Sequence, residues 1–437
     1  MRENERPSDL SATAAVRAIA GGRLTAEALL RDCLARIGES EDTVRAWVHL
    51  DPEGALATAR ALDARPSHAP LHGVPVGIKD IYDVADMPCE YGSPIHRGRR
   101  PATDAPCIAA LRAGGAVVVG KTVTTEFACF HPGPTANPAN PAHTPGGSSS
   151  GSAAAVAGCH VPLALGSQTV GSVIRPASFC GVVGMKFTQG RIGLDGVMVF
   201  APSFDSAGAL CRRVEDLFLA HAALTRSADR RPPALGRPRF AFCRTPHWDL
   251  VDTASRANLE ATTAAIAAAG AEVVALDLPP EFAEAREIHR VLFYAEALAA
   301  RAEEWPQHRD LISPKLQQLL ADAEGIAPAA VVAAQAEAAK LRMRFDEITR
   351  GFDAVLAPSA PGEAPNGLAY TGDPSMNGMW TLLHGPLIHV PHGTGPAGLP
   401  LGIQLVARYG AEDLLLRVAA QLEEAAPWID RRPPICA

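Results

Sequence analysis

Aromatic residues make up only 5% of the 437 positions, which argues against a large aryl-lined pocket. The sequence has no long run of Lys or Arg, and its formal net charge is −7. A nucleic-acid partner requires a basic stripe, so that class is excluded. Long apolar runs are also missing. The longest weakly polar stretch, residues 152–166, is interrupted by His160 and Pro162 and falls short of the roughly 20 residues that cross a bilayer. The first ten residues are charged and polar, unlike a secretory signal. No C-x-x-C pair occurs among the nine cysteines, which removes a structural zinc site. An odd, scattered set of cysteines predicts reduced thiols and a cytosolic location.

What is present is a globular composition, 47% hydrophobic and 20% charged. The length suits one large core or two to three ordinary domains. Residues 8–64 read as helices. Thr25 is placed to cap one of them, and apolar residues recur at helical spacing through Ile37. Gly73–Asp80 is a short β-type run ending in two charges. Ala116–Val119 is a second strand, set off from the helix Cys107–Ala113 by a Gly114-Gly115 stop. Residues 131–151 form a long loop rich in Pro, Asn, Gly and Ser, the kind that carries function inside a compact domain. Strands and helices then alternate to about residue 225. Residues 228–238 read as a linker, and residues 253–350 as mostly helical. A β-type tail and a closing helix at 411–425 complete the chain. The pattern predicts one domain, with its core at about 60–225 and 351–425 and a mostly helical insertion at about 239–350.

Several local motifs fail on physical grounds. Gly115–Thr122 fits the phosphate-loop pattern G-x-x-x-x-G-K-T. Its variable positions, Ala-Val-Val-Val, prefer an extended strand, and a helix precedes them. A buried strand ending in Lys121 is the better reading. Gly147–Gly151 has the G-x-S-x-G form of a nucleophile elbow, but the preceding Asn137-Pro138-Ala139-Asn140-Pro141 cannot be a central strand. In His389-Val390-Pro391-His392, the proline breaks the helix that paired metal ligands need. Cys180 reads as a packing thiol.

One array remains. Gly146-Gly147-Ser148-Ser149-Ser150-Gly151-Ser152 opens an Ala-rich helix. Ser172 follows inside Gly166–Pro176, and Lys79 ends an upstream strand. Two Gly/Ser loops bracketing a helix and a strand, with a lysine at a strand end, resemble the amidase signature family. The resemblance extends to Gly120-Lys121-Thr122, Gly181–Lys186 and Gly398–Gln404. In Ile78–Ile81, His143–Ala154, Ser172–Pro176 and Tyr370–Pro374 the chain looks most like the malonamidase branch.

The resemblance implies an α/β fold with a single large mixed β-sheet covered by helices on both faces. It implies Ser172 as nucleophile, Ser148 as a bridging serine held by a cis peptide, and Lys79 as catalytic lysine. It further implies an oxyanion hole from the backbone N–H groups of Thr169, Val170, Gly171 and Ser172, with Arg175 gripping a substrate carboxylate and Ser150 and Ser167 lining the site. The expected reaction is hydrolysis of a small, malonamate-like carboxamide to acid and ammonia, with no metal or organic cofactor and a homodimeric state. The alternatives are a carboxybiuret or urea-derivative amidohydrolase, the glutaminase subunit of a tRNA amidotransferase with companion subunits, and an inactive scaffold homologue. Two positions depart from the family. Val170 stands where glycine is usual, so a positive φ there would strain the hole. Phe187 stands where proline is usual.

The residue chemistry agrees with these roles. A serine hydroxyl is a weak nucleophile until a base takes its proton. Lysine is that base only when neutral, and burial beside Val76 and Ile78 would lower its pKa. A hydroxyl both donates and accepts, so Ser148 can relay the proton. Arg175, three residues beyond Ser172, shares its face if a helix begins there, although Pro176 argues against a helical Arg175.

Overall fold

The computed structural model describes residues 6–65, 67–228, 233–427 and 433–436. Positions 229–232 of the expected linker and the first five residues lie outside that set.

Among the described residues, short β-branched and apolar runs form eleven strands. The first six are β1 (Trp47–Leu50), β2 (Pro75–Lys79), β3 (Val117–Thr122), β4 (Leu163–Gln168), β5 (Val183–Lys186) and β6 (Ser206–Cys211). The remainder are β7 (Arg239–Cys243), β8 (Glu272–Leu276), β9 (Ala354–Pro358), β10 (Leu387–Thr394) and β11 (Pro400–Val406). They make one sheet in the order β1-β3-β2-β4-β6-β5-β10-β11-β9-β7-β8. Strand β2 runs parallel to β3 and β4, whereas β10 is antiparallel to β5 and β11. The sheet is therefore mixed, as expected, and strands from both ends of the chain meet at its centre.

Both faces are buried. On β3, Val117 and Val119 pack into one apolar cluster and Val118 into another. Successive strand side chains point to opposite faces, so each cluster marks a separate helical layer. One layer includes the helices Ala26–Val44 and Ser150–Ala157; the other includes Val214–Thr225 and Glu412–Ala425.

The structure differs from the sequence reading at two edges. Trp47–Leu50 lies within the stretch read as helical, yet it pairs with β3 as an edge strand. The expected insertion also begins with β7 and β8, which extend the sheet beyond β9. Phe240-Ala241-Phe242 and Val273-Val274 carry that β signal, and the long Ala-rich helix Thr253–Ala268 between them obscures it. The all-helical part starts later, with Ala285–Ala300, Pro314–Glu324 and Pro328–Ile348.

The rejected motifs have structural roles. Lys121 is fully buried at the end of β3 and pairs with Asp80 at 2.8 Å. His389 sits on β10 with Nδ1 2.6 Å from Ser359 Oγ. Phe187 N–H donates to the Ala207 carbonyl at 3.0 Å, a bond that proline would lose. Among the described residues no single helix is long and apolar enough to cross a membrane.

Candidate active site

Lys79 closes β2, a strand on which every residue is buried. Its Nζ lies 2.7 Å from Ser148 Oγ and 2.8 Å from Ser167 Oγ. An ammonium would donate to both; a neutral amine donates to Ser167 and accepts from Ser148. Loss of hydration lowers the Lys79 pKa from 10.5 to about 7, against the opposing pull of the Asp205 carboxylate. A base form is thus available near neutral pH.

The path to Ser148 explains the glycines before it. Gly146 has φ +82°, a conformation that side chains rarely adopt. A Cβ on Gly147 would press on Thr371 and Thr125. The Gly147–Ser148 peptide is cis. The helix that follows, Ser150–Ala157, is buried on every side. Its small residues let it press against backbone, and Ser152 Oγ ties it to the Leu165 carbonyl of β4 at 2.7 Å.

Ser172 precedes the helix Ile174–Cys180 and is 8% exposed. With Ser148, Thr169, Val170 and Arg175 it lines a cleft of about 370 Å³, open mouth included. Its hydroxyl makes no hydrogen bond among the described residues. The backbone N–H groups of Val170, Gly171 and Ser172 likewise have no acceptor within the described chain. Val170 is not among the residues with positive φ, so valine enters this loop without backbone strain. Gly171 is required for another reason: a Cβ there would collide with the Asn377 side chain.

Arg175 is helical despite Pro176. Proline occupies the third helical position, where the N–H has no intrahelical acceptor in any case. The Arg175 side chain is buried. One Nη donates to the Gly147 carbonyl at 2.7 Å and reaches Thr371 Oγ1 at 3.4 Å, while Nε has no partner. No carboxylate pairs with it among the described residues. Burial lowers its pKa to about 10, with Tyr370 and Asp373 opposing, so it remains cationic at neutral pH.

Two expected lining residues point elsewhere. Ser150 Oγ donates to the Val123 carbonyl at 3.3 Å, and Ser167 accepts from Lys79; neither lines the cleft. Cys180 is buried with its thiol on the Pro145 carbonyl, and burial pushes its pKa up, as a packing role requires. The structure also brings in Thr125, Thr371 and Phe293, which the sequence reading had not assigned. Thr371 lies in the Tyr370–Pro374 segment that contributed to the family resemblance. Thr125 and Phe293 carried no local signal.

Fold and site together define an amide-cleaving hydrolase. The chain belongs to the amidase family, whose model, described as Amidase, matches residues 28–416. Among curated relatives, a glutamyl-tRNA(Gln) amidotransferase subunit from Chloroflexus aggregans is 34% identical over 98% of both chains. Native peptide amidase from Stenotrophomonas maltophilia superposes with a TM-score of 0.81 at 28% identity, covering 98% of each chain. An inhibitor-bound protein from a vestigial complex, described as revealing the origins of an s-triazine catabolic enzyme, gives 0.87 at 28% identity. That match covers 95% of this chain and 98% of the other. None of these three relatives is a malonamidase, so the substrate must be argued from the site.

Proposed function

We propose that the chain hydrolyses the C–N bond of a small carboxamide bearing a carboxylate, malonamate being the simplest case, through an acyl-enzyme on Ser172. The supporting observation is Arg175, a buried guanidinium that pairs with no carboxylate among the described residues, in the cleft that holds Ser172. A cation so placed suits bidentate capture of a substrate carboxylate.

In this reading Ser172 Oγ attacks the amide carbon. Its proton passes to Ser148 as Ser148 gives its own to neutral Lys79. The N–H groups of Thr169, Val170, Gly171 and Ser172 receive the developing oxyanion. The relay returns a proton to the leaving nitrogen, the C–N bond breaks and ammonia departs. Water then hydrolyses the ester by the same relay in reverse. Ser167 positions the amine. The eight cysteines from Cys33 to Cys243 are buried free thiols, the state a reducing compartment maintains, and we place the enzyme in the cytosol.

The curated relatives favour a second reading, the glutaminase subunit of an amidotransferase. Glutamine is also a primary carboxamide bearing a carboxylate, so Arg175 would serve it equally well. That reading requires companion subunits, and glutamine hydrolysis should rise when they are added. Carboxybiuret, a urea derivative, offers Arg175 a carboxylate in the same way.

Ammonia release from malonamate, malonamide, carboxybiuret and glutamine tests these readings. Arg175→Ala is expected to lower kcat/KM on the best carboxylate-bearing amide by roughly 10- to 100-fold more than on neutral malonamide, the scale of one charge-assisted contact. The ratio between substrates is the readout, because Arg175 also bonds the Gly147 carbonyl. Equal losses on both would refute the carboxylate assignment.

A further inference from the structure

The loop Thr169–Ser172 belongs to no helix or strand, yet it must hold N–H groups in fixed directions. Within one peptide unit the C=O and N–H point opposite ways, so anchoring a carbonyl aims the next residue's N–H. Two consecutive carbonyls here are anchored by side chains. Thr381 Oγ1 donates to the Val170 carbonyl at 2.7 Å, which fixes the Gly171 N–H. His289 Nε2 lies 3.1 Å from the Thr169 carbonyl, which fixes the Val170 N–H. From its other side, the Thr169 hydroxyl donates to Asp205 Oδ1 at 2.6 Å.

His289 comes from the helix Ala285–Ala300, 120 residues away in sequence. Its ring is buried and held between aromatic neighbours, Phe204 at 4.3 Å and Phe293 at 5.7 Å between centroids. Burial lowers its pKa to about 4, so at neutral pH it is an uncharged imidazole, and a carbonyl partner requires its proton on Nε2. Such a ring does not act on substrate as an acid or base; it serves as a rigid donor.

We infer that His289 is a positioning residue: through the Thr169 carbonyl it sets the Val170 N–H for the oxyanion, making the helical segment part of the catalytic apparatus. The inference rests on the proposed acyl-enzyme reading, in which this loop is the oxyanion hole. A donor fixed in advance stabilises the transition state more than the ground state. Misaiming it therefore lowers kcat and spares KM.

Two variants separate the hydrogen bond from the packing. His289→Phe keeps a ring between Phe204 and Phe293 and deletes the donor. His289→Gln deletes the ring and keeps an N–H at similar reach. Both are assayed on whichever of the four amides the wild-type enzyme hydrolyses best. The phenylalanine variant is expected to lose roughly 10- to 100-fold in kcat with KM within about threefold of wild type, and the glutamine variant to retain most of its kcat. Wild-type kcat in His289→Phe, or equal losses in both variants, would overturn the inference while the acyl-enzyme reading stands. A wild-type enzyme that releases no ammonia from any of the four overturns that reading and this inference together.

Discussion

Ser172→Ala is expected to reduce amide hydrolysis by on the order of 10⁶-fold, the scale seen when a serine hydrolase loses its nucleophile. The reason is local. Ser172 is a hydroxyl that opens into the cleft beside N–H groups with no acceptor among the described residues. Ser148, the other serine of the relay in that cleft, is already committed to Lys79. Alanine at 172 removes only one oxygen from a site that is 8% exposed, so the fold and the binding of a carboxylate-bearing amide should survive. Steady-state ammonia release, with substrate binding followed by calorimetry, checks both halves. Substantial turnover by the alanine variant would move the nucleophile elsewhere.

Lys79→Ala should cost roughly 10²- to 10⁴-fold, the usual contribution of a general base. The wild-type pH profile carries the finer information. The pKa of Lys79 is depressed from 10.5 to about 7, so the neutral, basic form predominates above that value and the ammonium below it. The value of kcat/KM should rise with pH through a midpoint near 7 and lose that limb in the alanine variant. Lys79→Arg, cationic at every accessible pH, should be as inactive as alanine. A profile that stays flat from pH 6 to 9 would show that the titrating base is another group.

The site was legible in the sequence where it is built from consecutive residues. Gly146–Ser152 and Gly166–Pro176 carry their glycines because positive φ at Gly146 and the close approach of Asn377 to Gly171 demand them, and such demands leave a local signature. Lys79 is legible only through its company, the two Gly/Ser loops and the resembling run Ile78–Ile81, since Lys121 also ends an apolar strand and merely pairs with Asp80. The parts that escaped are long-range. Asp205 reaches Thr169 across 36 residues and His289 across 120, and nothing near either residue in sequence marks that destination. Arg175 departs from the extended conformation expected of a residue before proline, because that restriction yields to the first turn of the helix. Ser150 and Ser167 were assigned to the substrate by resemblance alone, whereas their hydroxyls face the Val123 carbonyl and Lys79. In the fold, β1 escaped because four residues beside a long amphipathic helix give too short a pattern, and β7 and β8 because an Ala-rich helix separates them.

The most direct test is to trap the covalent intermediate. Quenching turnover with acid and mapping the acylated peptide by mass spectrometry, over a range of pH, reads both the nucleophile and its base. The account predicts an acyl group on Ser172 whose rate of formation reaches half its maximum near pH 7. An acyl group on another residue, or formation on Ser172 at a rate indifferent to pH, would contradict it.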